Sequence, residues 1–375
     1  MPSSCCWYRY FRGRIYLANV KLRDRDAIIT QEGLIFRVFG SNHPDNVFIC
    51  DAEYASEKIF NSTDPRAPRT GLKQNFFKFY NDEGLNLVSE KFPQHLFFYK
   101  LLNKKLLGVN VSNISEIRKP DERLKKIVEI TLTDELVDAT QRVLNSMLDQ
   151  SGLSQDEFGI FGSMLHGFHH PKFSDIDLVV YGRKANKKIC KTLEDLYSFS
   201  SSGYSNEFEN EDVMKGKLWR FKDFNIREYI WHQKRKHIYG LFKDNKSGRT
   251  IKAEFEPVKN WNEIIPYYNQ EDSIFPIGWT RIKARVKSDI DAPFIPSIYE
   301  IEPISVLEGP KYALEATRIF SYMEEFRQQV KKDEIIIVEG NLEKVISQKR
   351  SYYQITLTYC PRYYEQVLKV DGLNL

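Results

Sequence analysis

The chain has 375 residues, enough for two or three domains, and its 42% hydrophobic and 28% charged residues are those of an ordinary globular protein. No apolar run approaches the roughly 18 residues that would span a bilayer, and the aromatic, basic start "MPSSCCWYRYFRGRIYLANVKL" lacks a signal-peptide core, so no membrane is expected and the cytoplasm is the expected compartment. Five cysteines, Cys5, Cys6, Cys50, Cys190 and Cys360, match neither a zinc site nor a disulfide framework and read as buried or free thiols.

The net charge of +4 is unevenly spread. Residues 215–252 hold twelve lysines and arginines against three acidic residues, and the remainder of the chain is slightly acidic. Such a patch suits a polyanionic ligand, although a solvated helix face has the same composition.

In chain order, the first third is β-rich. "DAIITQEGLIFRVFG" alternates around a Gln-Glu-Gly turn, "DNVFICDAEY" and "NFFKFYNDEGLNLV" continue in that style, and "HLFFYKLLNKKLLGVNV" predicts two more strands around Asn-Lys-Lys. A β-rich domain over 1–119 is expected. The period then changes: Leu136, Val137, Ala139, Val143, Leu144 and Met147 recur at helical spacing, with Thr133 ahead of Glu135 as the cap region. A Gly152 turn leads into the strand "FGIFGS"; a helix over "NKKICKTLEDLYSF" and a Ser-rich loop follow later. Another helix is expected from Asp223 to about Tyr239, and "RTIKAEFEPV" returns to strand alternation. Residues 120–290 form the expected central α+β domain. From 291 to 375, about five short strands with glycine turns predict a small barrel of oligonucleotide-binding type.

The chemistry concentrates in "FGIFGSMLHGFHHPKFSDIDLVVYG". On a strand, side chains repeat every two residues, so Asp175 and Asp177 face one way while Ile176, Leu178 and Val180 face the core. Two neighbouring carboxylates repel, and a divalent cation that also binds phosphates relieves the repulsion; a solvated edge strand would carry the same pair without function. Gly162, Ser163 and Gly167, just after a strand, offer close backbone approach, a hydroxyl and free N–H groups to a phosphate. His166, His169 and His170 crowd the intervening loop, read as a surface loop near substrate phosphate rather than a zinc site. Trp219 and Trp231 read as core aromatics, with base stacking as the alternative.

Gly162, Ser163, Gly167, Asp175 and Asp177 together resemble the DNA polymerase beta-like nucleotidyltransferase superfamily, which includes poly(A) polymerases and CCA-adding enzymes. The nearest overall likeness is to archaeal predicted nucleotidyltransferases. The motif covers about 25 residues, and supporting elements extend it to roughly 130–260. The resemblance implies a mixed-sheet core with helices, and a third carboxylate on a later strand. Glu254 in "KAEFEPV" fits that position, with Glu256 as fallback, where relatives often carry Asp. It further implies that Asp175, Asp177 and Glu254 bind Mg²⁺ or Mn²⁺, and that an NTP, most readily ATP, is the substrate. NMP would pass to an acceptor hydroxyl with release of pyrophosphate. Lys217, Arg220, Arg227 and Lys234 are the candidates for the triphosphate or an RNA backbone. The basic segment and the barrel favour RNA, with tRNA as the specific guess. The alternatives are a nucleotide- or RNA-binding sensor with an inactive core, and an enzyme that adds AMP to proteins.

Overall fold

A computed structural model of the chain describes residues 10–11, 14–15, 20–71, 74–131, 134–209, 220–269, 271–348, 350–359, 362–373 and 375. The described residues form mixed α and β structure around three larger sheets, after a two-strand hairpin of β1 (Tyr10–Phe11) and β2 (Arg14–Ile15). None of the described helices is long and apolar enough to cross a membrane.

The first larger sheet holds β3 (Ala27–Thr30), β4 (Leu34–Val38), β5 (Val47–Ser56), β6 (Pro68–Thr70), β7 (Asn75–Lys78), β8 (Leu96–Tyr99), β9 (Lys104–Asn110) and β10 (Ile114–Arg118). Its main path runs β10-β3-β4-β5-β7-β6, while β9 pairs with the other half of β5 and carries β8. The expected hairpin at "HLFFYKLLNKKLLGVNV" is the antiparallel pair β8–β9, turned by Asn103 in the left-handed region at φ 49°. "NDEGLNLV", grouped with the strands by its apolar residues, instead forms helix α1 (Glu83–Lys91), which buries Leu87 and Val88 against the sheet.

Strand alternation splits the sheet into two apolar faces. Ile28, Leu34 and Phe36 join the cluster under α1; Ala27, Ile29, Ile35 and Tyr54 form a second cluster with Leu165 and Phe168 of the following domain. The first sheet is therefore buried on both sides, one of them by the loop that carries the Gly-Ser motif.

The central domain contains α2 (Pro120–Glu129), α3 (Glu135–Ser151), β11 (Phe158–Ile160), α4 (Gly162–His166), β12 (Ile176–Tyr181), α5 (Arg183–Ser198), β13 (Tyr204–Asn206), α6 (Ile226–Lys234), β14 (Tyr239–Lys243) and β15 (Thr250–Val258). The strand order is β11-β12-β15-β14-β13, with β12 and β15 parallel and the other pairs antiparallel. The helical positions expected in α3, Leu136, Val137, Ala139, Val143, Leu144 and Met147, are all buried, together with Thr140. Thr133 lies outside the described residues; Asp134 caps the helix, its Oδ1 accepting from the backbone N–H of Leu136 and Val137 at 2.9 and 3.0 Å. The helix expected from Asp223 starts only at Ile226, because Asn225 and Glu228 form a capping box there.

The third sheet consists of β16 (Ser273–Asp291), β17 (Ser297–Glu308), β18 (Ala316–Ser321), β19 (Ile335–Ile346), β20 (Ser351–Leu357) and β21 (Val367–Val370). The boundary expected at residue 290 falls at the end of a strand of this sheet. β16 pairs with β19 from Ser273 to Arg285 and with β17 from Arg281 to Asp291, so the first strand of this sheet begins at Ser273. The sequence pattern predicts one strand here, "TRIKARVK", within connecting structure; β16 contains that strand and runs beyond it on both sides, where register shifts at Pro276/Gly278 and further along break the alternation.

Buried charge joins the three units. Arg25 Nη2 donates to Glu256 Oε2 at 2.7 Å and to Glu324 Oε1 at 2.9 Å, and Arg37 Nη1 donates to the same Glu324 oxygen at 3.1 Å. Arg327 grips Glu256 with both terminal nitrogens, Nη2 to Oε1 at 2.7 Å and Nη1 to Oε2.

Candidate active site

The site begins where β11 ends. Phe161 N–H donates to the Asp177 backbone carbonyl at 3.0 Å, which keeps the chain beside β12 until Gly162 turns it into α4. Gly162 has φ 61°, and a Cβ placed on it would stand 2.3 Å from Oδ2 of Asp177. Both the backbone conformation and the space require glycine. α4 ends at Gly167, φ 72°, and Phe168 N–H returns to the Ser163 carbonyl at 2.9 Å.

On β12, Ile176, Leu178 and Val180 enter the domain core, while Val179 and Tyr181 join Val258 and Phe161 on the opposite face. Asp177 shares that opposite face, half-buried, and Asp175 lies exposed just before the strand. Asp177 and Glu254 are direct register partners on the parallel strands. Burial, then the charges of Glu254 and Asp175, push the Asp177 carboxyl well above its ordinary value. Burial also raises Glu254, although the Lys252 ammonium draws it back.

Lys252 is the cation that sequence reasoning did not single out. Its Nζ pairs with Glu254 and lies 3.5 Å from Glu207. Two positions before Glu254 on β15, it shares that strand face, a signal available in "KAEFE". Lys78 of β7 also acts on Asp175 and Asp177, and brings the first sheet to the site. Its role rests on packing between domains, so no local pattern announces it.

Glu256, the fallback third carboxylate, is buried and held by Arg25 and Arg327. Those guanidiniums hold it below the usual carboxylate range despite burial. It joins domains rather than facing the carboxylate group.

The basic candidates disperse. Arg220 donates to the Tyr364 hydroxyl at 2.9 Å, Lys234 pairs with Glu209 at 3.2 Å, and Arg227 is exposed on α6. Lys217 and Trp219 lie outside the described residues. Trp231 is half-buried, with the Arg235 guanidinium 4.2 Å over its ring.

The histidine loop is more ordered than a surface loop. His166 is buried against Tyr54 and Phe168, and its Nδ1 lies 3.2 Å from Arg118 Nη1. Burial and the Arg118 and Arg123 charges push it down to about 3, so it is neutral. His169 Nε2 lies 2.8 Å from Oδ2 of Asp134, tying the loop to the start of α3. Only His170 of the three is exposed.

The residues fit a hard divalent cation in donor type: Asp175, Asp177 and Glu254 supply carboxylate oxygens, and their mutual repulsion is answered on β15 by Lys252. Among the described residues no group of three or more His, Cys, Asp or Glu is set closely enough to hold an ion.

Residues 141–239 match the family model for the nucleotidyltransferase domain. The chain carries a nucleotidyltransferase domain. The match takes in Gly162 to Asp177 and ends before Glu254, which β15 adds beside Asp177. The transferase domain sits in a chain 24% identical over 338 residues to the uncharacterized protein MJ1086 of Methanocaldococcus jannaschii, covering 89% of this chain and 94% of that protein. No solved structure matches the chain.

Proposed function

We propose that the protein is a nucleotidyltransferase that moves NMP from an NTP, ATP most readily, to a hydroxyl on RNA, with tRNA as the first candidate. The observation that carries this reading is the register pairing of Asp177 with Glu254 beside Gly162, which gathers carboxylates on one sheet face within the matched domain. Asp175, Asp177 and Glu254 would hold Mg²⁺ or Mn²⁺, which when bound neutralises triphosphate charge and acidifies the attacking hydroxyl.

The chain's own residues then have defined tasks. The turn at Gly162 and Ser163 presents backbone N–H and hydroxyl donors to phosphate oxygens. The acceptor oxygen bonds to the α-phosphorus as the bond to the leaving pyrophosphate breaks, and Glu254 takes the hydroxyl proton. Its raised proton affinity makes it a better base than an exposed glutamate.

RNA as acceptor is supported by the third sheet. Its pairing path β16-β17-β18-β20-β19 returns to β16, with β18 and β20 parallel, a topology we read as OB-like. We read the organisation as a β-rich unit before Lys119, the transferase domain, and this C-terminal unit.

Measuring pyrophosphate release tests the reading: it should require a divalent cation and RNA, and Glu254→Gln should abolish it. Release that survives Glu254→Gln would refute the role given to the third carboxylate.

One observation favours a second reading. Lys252 neutralises Glu254 internally, as in a binding module that senses nucleotide without turning it over. Such a module would bind ATP and release no pyrophosphate.

A further inference from the structure

A cavity of about 580 Å³, the size of small-molecule sites, lies between α5, the turn after α6, the β16–β17 connection and the segment leading to β19. None of Asp175, Asp177, Lys252 or Glu254 lines it. We propose that it is a second ligand site, for a small phosphorylated organic molecule of nucleoside-monophosphate size.

Charge is the first argument. Arg183, Lys187 and Lys191 recur every four residues on α5, so they form one basic helix face along the cavity. Arg235, Lys236 and Lys331 face them from the other side, and only Glu194 and Asp289 oppose all six. Arg183 is satisfied by Asp291, Lys191 by Glu194 and Asp195, and Arg235 by Glu334. Lys187 and Lys331 have no ion pair among the described residues. Lys236 has none either, but it is buried and its Nζ donates to the Glu325 carbonyl at 2.6 Å, so Lys187 and Lys331 are the exposed cations left for a phosphate.

The lining backbone and side chains supply the second argument. Gln328 and His237 both adopt left-handed backbone, at φ 51° and 50°, where non-glycine residues are uncommon. Such strain collects at ligand sites. Ala292, Pro293 and Val330 give the cavity an apolar wall that suits the ligand's organic body and not a bare ion.

The site joins the transferase domain to the third sheet, since α5 belongs to the former, Asp289 to the latter, and Ala292 and Lys331 to the connections between its strands. A bound phosphate ester would bridge the two units.

The test is calorimetric titration of AMP into full-length Asp177→Asn protein with EDTA, which takes the transferase site out of the measurement. One AMP should bind per chain. Lys187→Glu and Lys331→Glu should each weaken it about tenfold, while Lys331→Arg retains affinity, all with unchanged thermal melts. Equal affinity in both glutamate variants, or no heat with AMP, overturns the proposal. So does a result in which only a short oligonucleotide binds with this dependence and AMP does not, because the face would then be a nucleic-acid surface. Binding of inorganic pyrophosphate as tight as AMP also contradicts it, since the apolar wall would then play no part.

Discussion

Gly162 and Asp177 are in direct contact across the turn that opens α4: no side chain fits at Gly162 without displacing the Asp177 carboxylate. The same glycine holds a left-handed backbone that L residues reach at a cost of about 1–2 kcal/mol. Gly162→Ala should therefore cost stability of that order. Its effect on turnover should be larger, on the order of a hundredfold, since a carboxylate moved by about 1 Å loses the reacting geometry. Thermal denaturation beside a steady-state assay separates the two.

Asp177 has a further signature in stability. Its carboxyl is raised in the folded state, so the fold binds that proton more tightly than the unfolded chain does. The sign follows from linkage: this stabilisation is present below the ordinary value of 3.8 and is lost as pH rises towards the folded value. Above that range the buried carboxyl costs stability relative to the unfolded chain, and Asp177→Asn removes the cost. The variant should melt higher than the parent at pH 7, with the gap closing as pH approaches 4. Melting curves across that range are the check. A divalent cation should raise the parent's midpoint and leave the variant's unchanged.

Glu254 and Glu256, two residues apart on β15, should separate cleanly by mutation. Glu256→Gln leaves Arg25 and Arg327 without their shared anion, a loss of about 3–5 kcal/mol for a buried pair broken on one side. Glu254→Gln should cost little stability and nearly all activity. Because Glu256 and Glu324 are held below their ordinary values, their contribution is present above pH 4.5 and fades as pH falls towards the folded values. Chemical denaturation at several pH values measures both effects.

Lys252 lowers the Glu254 proton affinity that burial raises. With Lys252→Met that opposing charge disappears. If Glu254 is the base, the acidic limb of the pH–rate profile should then move to higher pH. An unmoved limb would assign it to another group.

The local geometry of the candidate site is legible because strand periodicity is local: "SDIDLVV" fixes which face Asp177 takes, and the turn beside it calls for Gly162. Spacing favours Glu254 over Glu256 as the candidate third carboxylate; that Glu256 is held by Arg25 and Arg327, more than 70 residues away in either direction, has no local signal. The basic segment was less informative. Local charge density does not reveal that Arg220 turns to Tyr364 or that Lys234 pairs with Glu209, because those partners are set by packing between units. β16 is legible only in its middle: "TRIKARVK" alternates as a strand does, while Pro276, Gly278 and the register shifts erase the period-two signal on either side.

The most direct measurement is transfer of α-labelled ATP with Mg²⁺ and total small RNA, comparing the parent chain with Asp177→Ala and resolving label on RNA from label on protein. The expected result is a labelled RNA band that the variant does not produce. Label on protein alone, or nucleotide binding with no label transferred to anything, would contradict RNA nucleotidyl transfer as the function of this chain.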